Sequence, residues 1–199
     1  MGEMKIKATI ATMLGMTLAI AGATTAEAAP PTECVSSSYI CTTNGYQGVD
    51  IYDYWTYGGQ DAELRWHNCT AYAAYQISLF TVKNDKYKEL GMAKYCASRA
   101  PGLGLKVSTI PRWRDIAFWS SGHVAFVEDV VYFASGRVAY IVITEDNAGV
   151  DNPAWRLTKR RVLYPSDSSF PDKFITFPAI ASGGGRPPVA YITPLGEAG

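Results

Sequence analysis

An α+β fold, with helices packed on an antiparallel β-sheet of about five strands, is predicted by two features of the chain and the order in which they come. The first is the run NCTAYAAYQISLFTVK, from Asn68 to about Lys83, which is apolar on nearly every side and free of Gly and Pro. The second is a change of character after Pro111 into short segments rich in β-branched and aromatic residues. The turn signals between them leave links too short for crossovers, so neighbouring strands should run antiparallel.

The elements follow in chain order. Lys5 and Lys7 precede an apolar run from Ile10 to Ala23, and Ala26-Glu27-Ala28 offers small residues where a signal peptidase reads. That run is too short to span a bilayer, so residues 1–28 are expected to be a secretory signal peptide. The mature chain is then expected to be secreted, to the extracellular space or the cell wall, with no membrane span. Residues 30–66 carry many Tyr, Gly and Thr with weak periodicity, which predicts an irregular lead-in. The run from Asn68 predicts a buried central helix with Asn68 as N-cap. A more amphipathic helix is predicted over Asp85 to Arg99, ended by Pro101, Gly102 and Gly104. DIAFW, HVAFVEDVVYFA, RVAYIVIT, AWRLTKRRVLY and FITF are the five strand segments. Residues 30–178 thus read as one domain, and 179–199 as a Gly/Pro-rich tail.

Composition narrows the function classes. Hydrophobic residues make up 48% of the chain, enough for a packed core, and Lys plus Arg balance Asp plus Glu at a net charge of zero. A nucleic-acid binder would need a basic surplus, so no nucleic-acid partner is expected. The one basic run, RLTKRR from Arg156 to Arg161, reads as the solvated face of a strand in preference to a contact with a wall polymer. A monomer is expected.

Four cysteines in an exported protein are often two disulfides. Here Cys34 and Cys41 lie close together in a Ser- and Tyr-containing loop, whereas Cys69 and Cys96 sit within apolar helical patterns. The expectation is a Cys34–Cys41 bridge, one buried thiol and one reactive thiol. A Cys41–Cys96 bridge with Cys34 free stays open, since connectivity does not follow from sequence.

Cys69 falls in the first turn of the predicted central helix, where helix-terminal amides favour a thiolate and can hold a developing oxyanion. Taken alone, it could equally be a buried structural cysteine. The chain has two histidines, His67 and His123. If Ser135-Gly136 makes a two-residue hairpin turn, His123 faces position 148 on the next strand, beside Asn147 and near Glu145. Glu145 and Asn147 then share a strand face, and either can fix an imidazole's tautomer. Both also fit the reading of strand-end turn formers. His67 reads as a surface or capping residue, ahead of a substrate contact or a metal site with Cys69, because no CxxC or HxxxH pattern accompanies it. Tyr72, Trp113 and Trp119 are candidates to line a substrate groove. Tyr72 and Trp119 read more readily as core, and Trp113, flanked by Arg112 and Arg114, is the better groove residue.

A cysteine at a helix start, a histidine opening a strand and an Asn or Glu on the next strand is the chain order of papain-like hydrolases. The pieces HNCTAYAAY, GMAKYCASRAPGLGLKVSTIPRWRDIAFW, GHVAFVEDV, ITEDN and FPDKFITF, in that order over about residues 50–178, resemble the CHAP family of cysteine- and histidine-dependent amidohydrolases and peptidases. The resemblance implies a papain-like fold, with Cys69 as nucleophile, His123 as base and Glu145 with Asn147 as the orienting pair. It also implies cleavage of an amide bond in peptidoglycan, as an N-acetylmuramoyl-L-alanine amidase or a peptide-stem endopeptidase, with no metal or organic cofactor. The chain departs from the family in having Arg114 where a Gly usually precedes the DIA strand, and Asn68 where many members have Gln. Both departures would reshape the groove, where Asn68 is a further substrate-contact candidate. The alternative is a catalytically silent wall-associated or adhesion protein on the same fold.

Overall fold

A computed structural model describes residues 30–42, 46, 55, 67–82, 84–146, 157–178 and 191–192. The expected signal peptide, most of the lead-in, Asn147 and nearly all of the tail lie outside the described residues.

The fold is α+β, as predicted. Strand β1 (Cys34–Ser36) leads to helix α1 (Cys69–Ser78) and helix α2 (Ala93–Arg99). Then come β2 (Lys106–Ser108), β3 (Ile116–Trp119), β4 (His123–Phe133), β5 (Val138–Glu145), β6 (Thr158–Leu163), β7 (Lys173–Thr176) and β8 (Tyr191–Ile192). Seven strands form an antiparallel sheet in the order β1-β6-β5-β4-β3-β7-β2, and β8 joins β4 in parallel at Tyr132 and Phe133. The five expected strands are thus present. The sheet is wider because β1, β2 and β8 are too short to carry a readable alternation.

The helix expected over Asp85 to Arg99 is two pieces, a 3-10 segment Asp85–Leu90 and then α2. Gly91 separates them at φ +63, and a Cβ there would meet Arg99 Nη1 at 2.2 Å. The break is therefore a left-handed turn that leaves room for the arginine folding back over it.

Both faces of the central strands are covered, which explains why β4 and β5 read as nearly continuous apolar runs. On one face Tyr72, Ala73, Ile77 and Phe80 pack with Ile116, Phe118, Val124 and Phe126. The opposite face buries Ala117, Ala125, Val127, Val130, Ile141, Ile143, Leu163 and Phe174. Alanines at 71, 73 and 74 keep α1 thin where it lies on the sheet.

The β4–β5 hairpin has a three-residue loop, Ala134 to Gly136, where two residues were expected. Phe133 N–H donates to Arg137 O at 2.8 Å, and Gly136 takes φ +81. A β-bulge at Glu128 then shifts the register between Val127 and Asp129, so Phe126 faces Thr144 at the end that carries His123.

Candidate active site

Three segments distant in sequence meet at one end of the sheet: the start of α1, the start of β4 and the end of β5. Asn68 fixes where α1 begins. Its backbone is extended, and its Oδ1 accepts from Thr70 N at 2.9 Å and Ala71 N at 3.1 Å. Cys69 is therefore the first helical residue, with a free, partly exposed thiol. The oxygen of Asn68 is spent on this cap.

His123 opens β4 directly after a tight turn in which Gly122 adopts φ +99. Asp172 Oδ2 holds that turn by accepting from Ser120 N at 2.6 Å. Trp119 pairs with His123 across β3 and β4, and its ring centroid lies 5.5 Å from the imidazole. The indole itself is anchored by donating Nε1–H to Ser169 O at 2.9 Å. His123 Nε2 donates to Glu145 Oε2 at 2.7 Å, which leaves the other ring nitrogen for Cys69. Burial alone would lower the His123 pKa. The hydrogen bonds and charges of Cys69 and Glu145 outweigh it and raise the value to about 10.

Glu145 is fully buried, which would normally favour the neutral acid. The hydrogen bond and charge of His123, joined by the charge of Arg161, overcome that and hold its carboxyl below the usual range. Arg161 Nε stands 2.6 Å from Glu145 Oε1. Cys69, His123, Glu145 and Arg161 thus form one line of alternating hydrogen-bonding and charged groups. A thiol, an imidazole held protonated by its neighbours, and a buried carboxylate orienting that imidazole are the parts of a cysteine-based acyl transfer site.

The CHAP domain family model matches residues 52–147, a span that encloses all of these groups except Arg161. The chain carries a CHAP domain. CHAP domains are amidohydrolases and peptidases that act on peptidoglycan. No curated protein and no solved structure matches the chain.

The other expected residues of this CHAP domain are placed as follows. Tyr72 is fully buried: its hydroxyl donates to Thr144 Oγ1 at 2.6 Å and accepts from Gln76 Nε2 at 2.8 Å. It is core and out of reach of a substrate. Trp119 stands beside His123. Trp113 does not join the site. It lies beyond Asp115, whose carbonyl accepts from Val127 N–H four residues along β4 from His123, a separation of about 13 Å by the rise of the strand. There it stacks on Arg114 at 3.9 Å and lines a hollow of about 360 Å³ with Ile110, Pro111, Arg112 and Tyr132. Arg114 adopts φ +71, the left-handed conformation that a Gly would enter without strain.

Cys34 and Cys41 are bridged, with Cα atoms 5.4 Å apart, and Cys96 is a buried thiol. Burial and the nearby Cys69 push the Cys96 thiol up to about 12. Among the described residues no group of three or more His, Cys, Asp or Glu side chains is placed to hold a metal ion.

Sequence reasoning missed two things. Arg161 belongs to the basic run read as a solvated strand face, yet it shares a strand face with the buried Leu163, and that alternation was the available signal. His67 is neither a surface nor a capping residue. Its side chain is 12% exposed, its Nδ1 lies 2.6 Å from Asp146 Oδ1, and its ring stacks on Tyr39 at 4.5 Å. No local spacing links positions 67 and 146.

Proposed function

We propose that this protein is a secreted cysteine hydrolase that cleaves an amide bond of bacterial peptidoglycan. Cys69 is the nucleophile, His123 the general acid and base, and Glu145 the residue that orients His123, with Asn147 as its proposed companion. The observation that carries this reading is the Cys69–His123–Glu145 line at the N-terminus of α1, within a domain whose family acts on peptidoglycan.

The steps follow from the groups present. The Cys69 thiolate attacks the amide carbonyl carbon, and the carbonyl oxygen takes up the negative charge. Asn68 Oδ1 occupies the amides of Thr70 and Ala71, so the Cys69 N–H is the first-turn donor left to receive that charge. His123, kept protonated near neutral pH, gives its proton to the departing amine nitrogen as the C–N bond breaks. A thioester remains. Water attacks it while His123 takes one water proton, the C–S bond breaks to restore the Cys69 thiolate, and the acid released gives its remaining proton to solvent and leaves as a carboxylate. Export to the wall, guided by residues 1–28, brings the enzyme to this substrate.

Digestion of purified peptidoglycan with a Cys69→Ser control tests the proposal, with released fragments read by mass spectrometry. Fragments that need Cys69 support it, and their new ends distinguish an N-acetylmuramoyl-L-alanine amidase from a stem-peptide endopeptidase. No release from several wall types would leave a silent wall-associated protein.

A further inference from the structure

The last residue pairs of β5 and its extension are committed one by one. Thr144 accepts from the Tyr72 hydroxyl at 2.6 Å, Glu145 holds His123 at 2.7 Å, and Asp146 holds His67 at 2.6 Å. Tyr72 and His67 lie on either side of Cys69 in sequence, just as Thr144 and Asp146 lie on either side of Glu145. The start of α1 is thereby fastened to the end of β5 at two points that bracket the reacting groups. We propose that His67 is a positioning residue, whose bond to Asp146 sets the separation between Cys69 and the His123–Glu145 pair. This rests on the reading of Cys69 and His123 as the groups that react.

A purely structural role accounts poorly for the choice of residues. Asp146 is fully buried, and a buried ionic or charge-assisted pair returns little net stability once the carboxylate has been stripped of water. Such a bond does supply direction and length, which apolar packing at the same spot would not. His67 is held on its other side as well. The Tyr39 ring lies parallel to it at an interplanar angle of 12°, on a segment closed by the Cys34–Cys41 bridge. The imidazole is clamped between a stapled loop and a strand end, two residues before the nucleophile. A small shift there moves the thiol directly, and displacements of about 1 Å can cost up to about a hundredfold in rate.

The test compares His67→Phe with His67→Asn. Phenylalanine keeps a flat ring for Tyr39 but offers no donor to Asp146; asparagine gives up the stack and restores a donor. Two readouts are taken beside the unfolding midpoint: kcat and KM on soluble peptidoglycan fragments, and iodoacetamide labelling of Cys69 at neutral pH. His67→Phe is expected to lower both kcat and labelling about tenfold with KM within about twofold, and His67→Asn to recover most of the loss. A folded His67→Phe protein with wild-type kcat and wild-type labelling overturns the proposal. Should that variant not fold, Asp146→Ala removes the acceptor altogether, and wild-type values there overturn it equally. If wild-type Cys69 itself labels no faster than a free thiol, the reading of the reacting pair fails, and this proposal with it.

Discussion

Arg161 approaches Glu145 from the side of the carboxylate that His123 leaves open, with Arg161 Nε 2.6 Å from Oε1 while His123 Nε2 holds Oε2. The carboxylate therefore sits between two cations in a place with no access to solvent. Contact with Arg161 is by charge more than by alignment, since neither atom meets hydrogen-bond geometry with the other. A strand whose basic residues look solvated thus neutralises the one buried acid on which His123 depends.

Replacing Arg161 by Met should weaken folding by about 1–2 kcal/mol, less than for a fully buried pair because the arginine is 28% exposed. Acid sensitivity should change in a defined direction. The Glu145 pKa is depressed in the folded protein, so its contribution is present above the unfolded value near about 4.3 and is lost as pH falls through the folded value. Arg161 is one cause of that depression, so without it the acid loss begins at higher pH. Urea unfolding at neutral pH and circular dichroism during acid titration measure the two effects.

His123 works in the opposite sense. Its folded pKa is raised to about 10, so the stability it contributes is full below the unfolded value near about 6.5 and is lost as pH rises through about 10. Its NMR ring signals should show a protonated imidazole through neutral pH. Cys69→Ala removes the hydrogen bond and charge that head the causes raising it, and should move the titration down. A wild-type His123 that titrates near its ordinary value would contradict the arrangement described.

The two tryptophans singled out by the sequence should behave differently. Trp119→Ala removes the ring beside His123 and should lower peptidoglycan release about tenfold or more. Trp113→Ala, in the turn before β3, should leave release within about twofold, because no transmitted displacement of the site is needed to accommodate it. Equal losses in both would mean that substrate runs the length of the sheet.

Tyr72→Phe deletes a hydroxyl that donates to Thr144 and accepts from Gln76, both buried. Leaving those partners unmet should cost about 1–3 kcal/mol in denaturant unfolding. Thr144→Val in the same background should recover part of that cost, since it removes the orphaned hydroxyl.

Much of this arrangement was legible in the chain because its signals are local. The Asn68 cap, the Gly- and Pro-free run behind it and the β-branched segments after Pro111 each declare themselves within a few residues. Cys69, His123 and Glu145 could be nominated because each stands at an element's end, and the Cys34–Cys41 bridge because its partners are close. What stayed hidden depends on long-range pairing or on one-residue details of register. The His67–Asp146 contact joins positions that no periodicity connects. The far placement of Trp113 follows from which end of β3 pairs with His123. Arg161 was obscured by its charged neighbours.

The bulge at Glu128 has a consequence for how the segment HVAFVEDVVYFA is read. Val127 and Val130 face the same core, although an unbroken strand would put residues three apart on opposite sides. The extra residue acts as a frameshift in the alternation of the strand, and everything before it is turned over relative to everything after it. The face on which His123 emerges is therefore decided five residues downstream, by the presence of one glutamate that Arg160 anchors at 2.7 Å. Deleting Glu128 would leave a chain with almost the same composition and apolar content, in which the imidazole and Phe126 had exchanged sides of the sheet.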